Sequence, residues 1–418
     1  MKNVLSLLIF FAPLIAFSQE EMTLADFYDL AEENYPLSQQ TELLEEKSNI
    51  EIGNINKAKL PKIDLNAQAT YQSEVIRFPL DLPNTGVEPP NKDQYRATLD
   101  VNQLIYQGGR IAASTKLKEA ELQTQQQQVN VDLYALRLKI NQHFFSVLLY
   151  QEQKKLQDSK MEELEVNLKE VTTGVKYGAI LPSAAQTLQA EILKLEQQLS
   201  ETNHNRKKAL ESLGALIAQK LDPDIQLAQP PVDILLEQNG ERPEIALFDL
   251  QEEQLETSKD VLSKNLYPRI SGFGQAGYGN PGLNMLDNSF QDFYMVGIKL
   301  SWNIFDWGKT KQEKKKVEVS KQIIATEKET FELNNNIRRK EAQSDIEKLE
   351  ELLEKDEGII DLREQVLQSA TSQLQNGTIR SSEYITELNN LYEAKVNREL
   401  HQTQLNLAKA NYNVIKGQ

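Results

Sequence analysis

The 418-residue chain contains no cysteine. That excludes disulfide scaffolds, thiol nucleophiles, cysteine-based zinc sites and lipid attachment through an N-terminal Cys. Histidine is nearly absent too. His143, His204 and His401 stand singly on helical stretches, none with a second His at metal-ligand spacing, so each reads as solvated or packed. Only 14 prolines and 18 glycines interrupt the chain, which removes collagen-like and low-complexity classes. Basic residues are in deficit, 46 against 62 acidic, for a net charge of −16. No basic stripe is available to neutralise nucleic-acid phosphates. After residue 18 no stretch approaches the length of apolar chain that spans a bilayer as a helix. A composition of 39% hydrophobic and 26% charged residues fits a water-contacting, largely helical chain.

At the N-terminus, Lys2 precedes an apolar run over 4–17, and Ala16 and Ser18 stand at −3 and −1 relative to Gln19. A positive start, a short apolar core and small residues before the junction describe a cleavable secretory signal over 1–18. The run contains Pro13 and is short for a membrane span. The rest of the chain is therefore expected to be exported, as a soluble, peripheral or β-barrel protein.

Self-similarity organises the chain. Pro36 and Pro61 recur as Pro243 and Pro268, both at an offset of 207 residues. Gly109, within Ile105-Tyr106-Gln107-Gly108-Gly109-Arg110, recurs as Gly308 within Ile304-Phe305-Asp306-Trp307-Gly308-Lys309 at an offset of 199. Tyr177-Gly178-Ala179-Ile180 recurs as Asn376-Gly377-Thr378-Ile379 at the same 199. The length difference falls between Pro61 and Gly109, so the first copy carries a longer loop there. Each copy reads as a helix ending at a proline, two alternating segments, a long helix, a glycine turn and a returning helix. Thr23 to Asp26 has the pattern of a capping box opening the first helix, expected over 23–59. The long helix over 110–177 would measure about 100 Å, far beyond the needs of a globular domain. Apolar seams such as Leu133, Leu136, Ile140, Phe144 and Val147 suit coiled-coil-like packing.

The alternating segments carry the most information. Ile63, Leu65, Ala67, Ala69 and Tyr71 alternate with polar residues, as do Tyr95, Ala97, Leu99, Val101, Gln103 and Ile105. The second copy repeats this with Ile270, Gly272, Gly274, Ala276 and Tyr278, then Tyr294, Val296, Ile298, Leu300, Trp302 and Ile304. These rows hold no charge, whereas the opposite rows hold Asp64, Arg96, Asp100 and Lys299. Period two with one uncharged face suits strands facing hydrocarbon, because Lys or Arg at mid-bilayer costs about 2–4 kcal/mol. Tyr71, Tyr95, Tyr278, Tyr294, Trp302, Phe305 and Trp307 lie towards the segment ends, where interfacial girdles form. A pair of soluble hairpins covering a core would show the same alternation. Four strands do not close a membrane barrel, so lipid-facing strands would require oligomerisation.

Other patterns carry less. Gly272, Gly274 and Gly277 match G-x-G-x-x-G, yet Gly279-Asn280-Pro281-Gly282 follows where a dinucleotide site needs a helix start. Glu347, Glu350, Glu351, Glu354 and Asp356 interleave with Lys348 and Lys355 as on a solvated helix face. No catalytic constellation and no cofactor or metal site is expected.

The order Met22-Thr23-Leu24-Ala25-Asp26, Asn34-Tyr35-Pro36-Leu37, Gln107-Gly108-Gly109-Arg110, Arg242-Pro243-Glu244 and Phe305-Asp306-Trp307-Gly308-Lys309 resembles the TolC-like outer-membrane efflux proteins over essentially the whole chain after residue 18. The resemblance implies a mostly α fold with a β-barrel part. Long helical hairpins would form a tube, and each chain of a homotrimer would give four strands to a twelve-stranded barrel. Together with the signal and the duplication read above, the resemblance divides the chain into a signal (1–18), a first repeat (19–219, with a β-hairpin over 62–106), a connector at mid-height (220–241) and a second repeat (242–418, with a hairpin over 269–305). It implies an exit duct in a Gram-negative outer membrane, extending into the periplasm and serving a tripartite efflux pump or type I secretion system. A periplasmic adaptor and, through it, an inner-membrane transporter would be partners. Asp64, Asn66, Gln68, Arg96, Asp100 and Lys299 would line the lumen. Tyr177, Gly178, Asn376, Gly377, Arg380 and Glu383 would form the gated, adaptor-facing tip. The family often has an acid shortly after the tip glycine, where the first copy has Ser183-Ala184-Ala185. A soluble periplasmic adaptor or scaffold of helical hairpins is the alternative.

Overall fold

The computed structural model describes residues 22–76, 89–230 and 240–418. The expected signal over 1–18, most of the first strand loop (with Pro79 and Pro83) and part of the connector (with Pro231) lie outside these residues. Leu24–Asn34 (α1) opens on the expected capping box: the Thr23 amide donates to Asp26 at 2.8 Å, and the Asp26 amide to Thr23 Oγ1 at 3.4 Å. The helix does not run unbroken to residue 59. Pro36 disfavours helical backbone at Tyr35, which is extended, and a 3-10 turn over Pro36–Gln39 leads into Gln40–Lys57 (α2).

Strands Lys62–Tyr71 (β1) and Asp93–Tyr106 (β2) follow. The expected rod over 110–177 is two helices, Arg110–Tyr134 (α3) and Leu136–Lys176 (α4), parted at Ala135. The break is slight, since Ala135 keeps near-helical angles and its amide still donates to Val131 O at 3.0 Å. Pro182–Leu216 (α5) returns, and Pro243–Ser263 (α6) opens the second copy. Then come Arg269–Asn280 (β3), Gln291–Ser301 (β4), the unbroken 67-residue Lys309–Gln375 (α7) and Ser381–Lys416 (α8). The second hairpin thus stops at Ser301, short of the expected 305, and Trp302, Ile304 and Phe305 leave the strand.

One antiparallel sheet joins the copies in the order β1-β2-β3-β4. Among the described residues β1 and β4 are unpaired edges. The helices form two tiers. Nearer the sheet, α2 packs on α3, α3 on α6 and α6 on α7; further away, α5 packs on α4, α4 on α8 and α8 on α7. The antiparallel register along α7 is marked by ion pairs. Lys321 meets Glu252 at 3.2 Å and Lys328 meets Asp249 at 2.6 Å on α6. Glu350 then meets Lys409 at 3.0 Å and Glu364 meets Lys395 at 2.8 Å on α8. His401 Nδ1 lies 2.6 Å from the buried Asp356, so this histidine is a rung of the same ladder rather than solitary.

Between the tiers, Phe27 of α1 meets Phe144 edge-on, and Ile140, Phe145, Val147, Leu213 and Ile217 are almost wholly buried around them. Beside this core the Arg242-Pro243-Glu244 motif acts as a tie. The Arg242 guanidinium pairs with Glu244, donates to Val414 O at 2.9 Å and lies 5.1 Å from the Tyr134 ring centre. Tyr134 Oη donates to the same carbonyl at 2.7 Å. A cation at the last turn of α8 complements its helix dipole. Arg242→Ala is expected to lose about 1.5–3 kcal/mol of stability, seen as a lower Tm for the purified protein. An unchanged Tm would remove the tie from the account.

Candidate functional site

The sheet register sorts its two faces. Ile63 faces Val101, Leu65 faces Leu99 and Ala67 faces Ala97; across the next pairs Leu99 meets Ala276 and Ile270 meets Leu300. The apolar rows of four strands therefore merge into one surface. It is bare: Leu65 is 78% exposed, Ile298 75% and Val296 74%. The rows do acquire acids at the loop end, where Asp93 pairs with Tyr71 and Asp292 with Tyr278. Tyr95 and Tyr278 stack against Phe290 at that end, with centroids 6.3 and 5.5 Å away. From Tyr294 to Trp302 the chain covers about 27 Å if extended, the scale of the ~25 Å apolar band of membrane barrels.

The opposite face gathers Asp64, Asn66, Gln68, Arg96, Asp100 and Lys299. Asp100 is its hub, accepting from Asn66 Nδ2 and Gln275 Nε2 at 2.6 Å and from Thr98 Oγ1 at 3.0 Å. Asp64 pairs with Lys62 at 3.1 Å, Gln68 lies opposite Arg96, and the exposed Lys299 lies opposite Ser271 beside the β4 edge. Phe273, which alternation puts on this row, and Phe293, which it did not bring forward, also belong here. The Arg96 guanidinium sits 5.5 Å from the Phe293 ring centre. A Cβ on Gly277 would come within 2.5 Å of Phe293, and one on Gly297 within 2.7 Å of Phe273. The G-x-G-x-x-G stretch lies within β3, and its last glycine makes room for a neighbouring ring.

At the far end of the helices lie the two glycine turns. Gly178 (φ +74°) and Gly377 (φ +69°) adopt left-handed backbone that glycine holds without strain. Each closes a Schellman motif: Ala179 N donates to Gly174 O and Thr378 N to Gln373 O, both at 2.9 Å. Tyr177, Gly178, Asn376, Gly377, Arg380 and Glu383 are all exposed there. The turns are held together from within. Tyr384 of α8, fully buried, donates to Glu163 at 2.7 Å and accepts from Asn167 Nδ2 at 2.8 Å, both on α4. One helical turn further from the tip, Lys160 pairs with Glu191 of α5 at 3.1 Å and lies 4.7 Å from the Tyr392 ring centre. Sequence periodicity gave no sign of this link, because its partners are about 220 residues apart. The one available signal was a tyrosine in the apolar seam of α8, next to Ile385 and Leu388.

Burial, together with the Glu163 carboxylate, holds the Tyr384 phenol well above its ordinary pKa of 10.0. Its neutral form is therefore favoured in the folded state, and the stability this gives is complete below about pH 10 and is lost as pH rises beyond it. Tyr384→Phe is expected to cost about 1–3 kcal/mol and to speed amide exchange around residues 163–171 and 381–388. It should also remove part of the fall in Tm above pH 10; superimposable alkaline profiles would show that this phenol is not a determinant of tip stability.

Among the described residues no helix is long and apolar enough to cross a membrane, and no cluster of three or more His, Cys, Asp or Glu could hold a metal ion. The family model described as outer membrane efflux protein matches residues 27–219 and 237–415. No curated protein matches the sequence. Solved structures similar to this chain include the outer membrane protein VceC of Vibrio cholerae (16% identity, 94% of this chain and 96% of that one, TM-score 0.65). The CmeC outer membrane channel of Campylobacter jejuni is 16% identical over 95% of this chain and 86% of that one, with a TM-score of 0.63. The open-state MtrE outer membrane channel of Neisseria gonorrhoeae is 16% identical over 94% and 89%, with a TM-score of 0.65. These likenesses establish a shared fold, and the duplicated architecture accounts for the match falling in two segments. This chain belongs to the outer membrane efflux protein family.

Proposed function

We propose that the chain is the outer-membrane exit duct of a tripartite efflux pump or type I secretion system, working as a homotrimer. The observation that carries this reading is a four-stranded sheet with a bare apolar face and two open edges. In a bilayer no backbone donor or acceptor can stay unpaired, so β4 of one copy must meet β1 of the next. Three copies then give twelve strands, within the even-numbered range of membrane barrels. The helical tiers support the same closure, since their outermost helices also expose apolar residues: Leu43 and Ile50 on α2, Val319, Ile323 and Leu333 on α7. A soluble adaptor would leave the apolar sheet face in water.

In this arrangement Asp64, Asn66, Gln68, Arg96, Asp100 and Lys299 turn inward to the water path, joined by Phe273 and Phe293. The repeats over 19–219 and 242–418, joined by the connector over 220–241, become tube wall, and the signal over 1–18 directs export. Tyr177, Gly178, Asn376, Gly377, Arg380 and Glu383 form the periplasmic tip that meets an adaptor and, through it, an inner-membrane transporter. Cargo crosses passively, without a cofactor, once the tip helices part. Outer-membrane fractionation, a three-chain mass in native mass spectrometry and pore conductance in planar bilayers are the expected results. Ile298→Arg places a charge on the lipid face at about 2–4 kcal/mol per chain and is expected to abolish trimer recovery from the outer membrane. A normal yield of trimeric variant would refute a lipid-facing sheet.

A further inference from the structure

The two copies cross from strand to long helix by the same backbone path, with different residues on it. In the first copy Gly108 and Gly109 are both left-handed, at φ +58° and +78°. A side chain at 108 is impossible, because its Cβ would stand 2.2 Å from that of Tyr267. In the second copy the same two angles belong to Trp307 (φ +55°) and Gly308 (φ +77°). Trp307 holds backbone that suits glycine, yet its side chain is 88% exposed and its only ring neighbour among the described residues is Phe305, edge-on at 4.9 Å and itself 67% exposed. Asp306 fixes the turn, accepting from the amides of Gly308 at 3.0 Å and Thr310 at 2.8 Å. A rigid turn thus presents a pair of bare aromatics just past the end of β4.

Directly after it the sequence turns basic. Lys309, Lys311, Lys314, Lys315 and Lys316 fall within eight residues containing one acid, Glu313, in a chain of net charge −16. The matching start of α3 holds only Arg110 and Lys116. Cations at a helix N-terminus oppose the dipole, so α7 gains nothing from them locally. Among the described residues none of the five forms an ion pair; Lys314 is half-buried and the other four are exposed. Residue 316 lies about 10 Å along the axis from residue 309, within lysine reach and a Debye length of a headgroup layer.

We propose that residues 305–316 are a membrane-surface anchor, in which Phe305 and Trp307 occupy the headgroup boundary of the periplasmic leaflet and the lysines after them bind the phosphates of anionic phospholipids. Aromatic rings that are apolar at the face and polar at the indole N–H partition to that boundary, and juxtamembrane lysines are attracted to anionic headgroups. The anchor rests on the reading of the sheet as membrane-spanning. It does the work that a lipidated cysteine could do in a chain that has one, and it belongs to the second copy alone.

The chain has two tryptophans, so Trp302→Phe leaves Trp307 as sole reporter. The full-length variant, reconstituted in vesicles of phosphatidylethanolamine with one quarter phosphatidylglycerol, is expected to show blue-shifted emission. Quenching should be strongest with bromine placed high on the acyl chain. Brominated phosphatidylglycerol should quench roughly twofold to fivefold more than brominated phosphatidylethanolamine at equal content, and Lys311→Gln/Lys315→Gln/Lys316→Gln should erase that preference. Water-like emission, or blue-shifted emission untouched by brominated lipid (a contact with a neighbouring copy), would overturn the anchor. Equal quenching by the two headgroups would overturn its electrostatic half. A Leu99→Trp reporter in a Trp302→Phe/Trp307→Phe background separates the two ideas: if it is quenched by deep bromines while Trp307 is silent, the sheet spans the membrane and only the anchor fails.

Discussion

Among the described residues, the four-stranded sheet segregates its apolar and polar rows and leaves both its apolar face and its edges uncovered, a combination that is costly in water. Every other feature is arranged around that incompleteness. The hairpins come from different copies of the repeat and meet at β2 and β3, so the duplication already performs one edge-to-edge closure inside the chain. What remains open is an edge at β1 and another at β4. These match the edges left on the helical tiers, where α2 and α5 end one side and α7 the other. In the proposed trimer one assembly step would satisfy strands and helices together.

The helices obey a different logic. Rods of about 100 Å cannot be specified by a thin apolar seam alone, because a seam of this kind tolerates slippage by a heptad. Register along α7 is set instead by charged pairs spaced down its length, first to α6 and then to α8. Most are exposed and individually weak. Their value is discriminatory: a one-heptad slip mismatches several at once. The buried contacts gather at the Phe27–Phe144 core with its Arg242 tie, at a smaller group of Ile346, Leu349, Leu405 and Tyr412, and nearer the tip around Leu164, Leu188 and Tyr384.

Much of this was legible in the chain. The offsets of Pro36, Pro61, Gly109 and Gly178 exposed the duplication, and alternation placed all four strands and assigned their faces. The unread parts share a cause: they depend on partners distant in sequence. Asp356 looked like part of a solvated acidic face because the histidine that buries it is 45 residues away. Phe293 sits in a slot made by Gly277 on another strand, which alternation within β4 alone does not show. Trp302 and Ile304 continued the alternation in sequence, yet β4 ends at Ser301, where its pairing with β3 runs out at Arg269. Tyr35 shows the opposite case, a break caused by its immediate neighbour Pro36 and readable from that proline.

The duplication also shows where the copies have diverged. Backbone at the two strand-to-helix junctions is the same, so the architecture demands left-handed turns there whatever the sequence. The first copy meets that demand with two glycines, one of them pressed against Tyr267. The second accepts a left-handed tryptophan, a conformation costing about 1–2 kcal/mol for an L-residue, although its surroundings in the chain offer that side chain only Phe305. That cost is carried by the rest of the fold, and a contact outside the monomer, as in the proposed anchor, would give the exposed ring a return for it. The adjoining lysines, unfavourable where they stand on α7, would gain the same. Both stand within residues 305–316, just past the end of β4, the strand whose apolar row is itself bare.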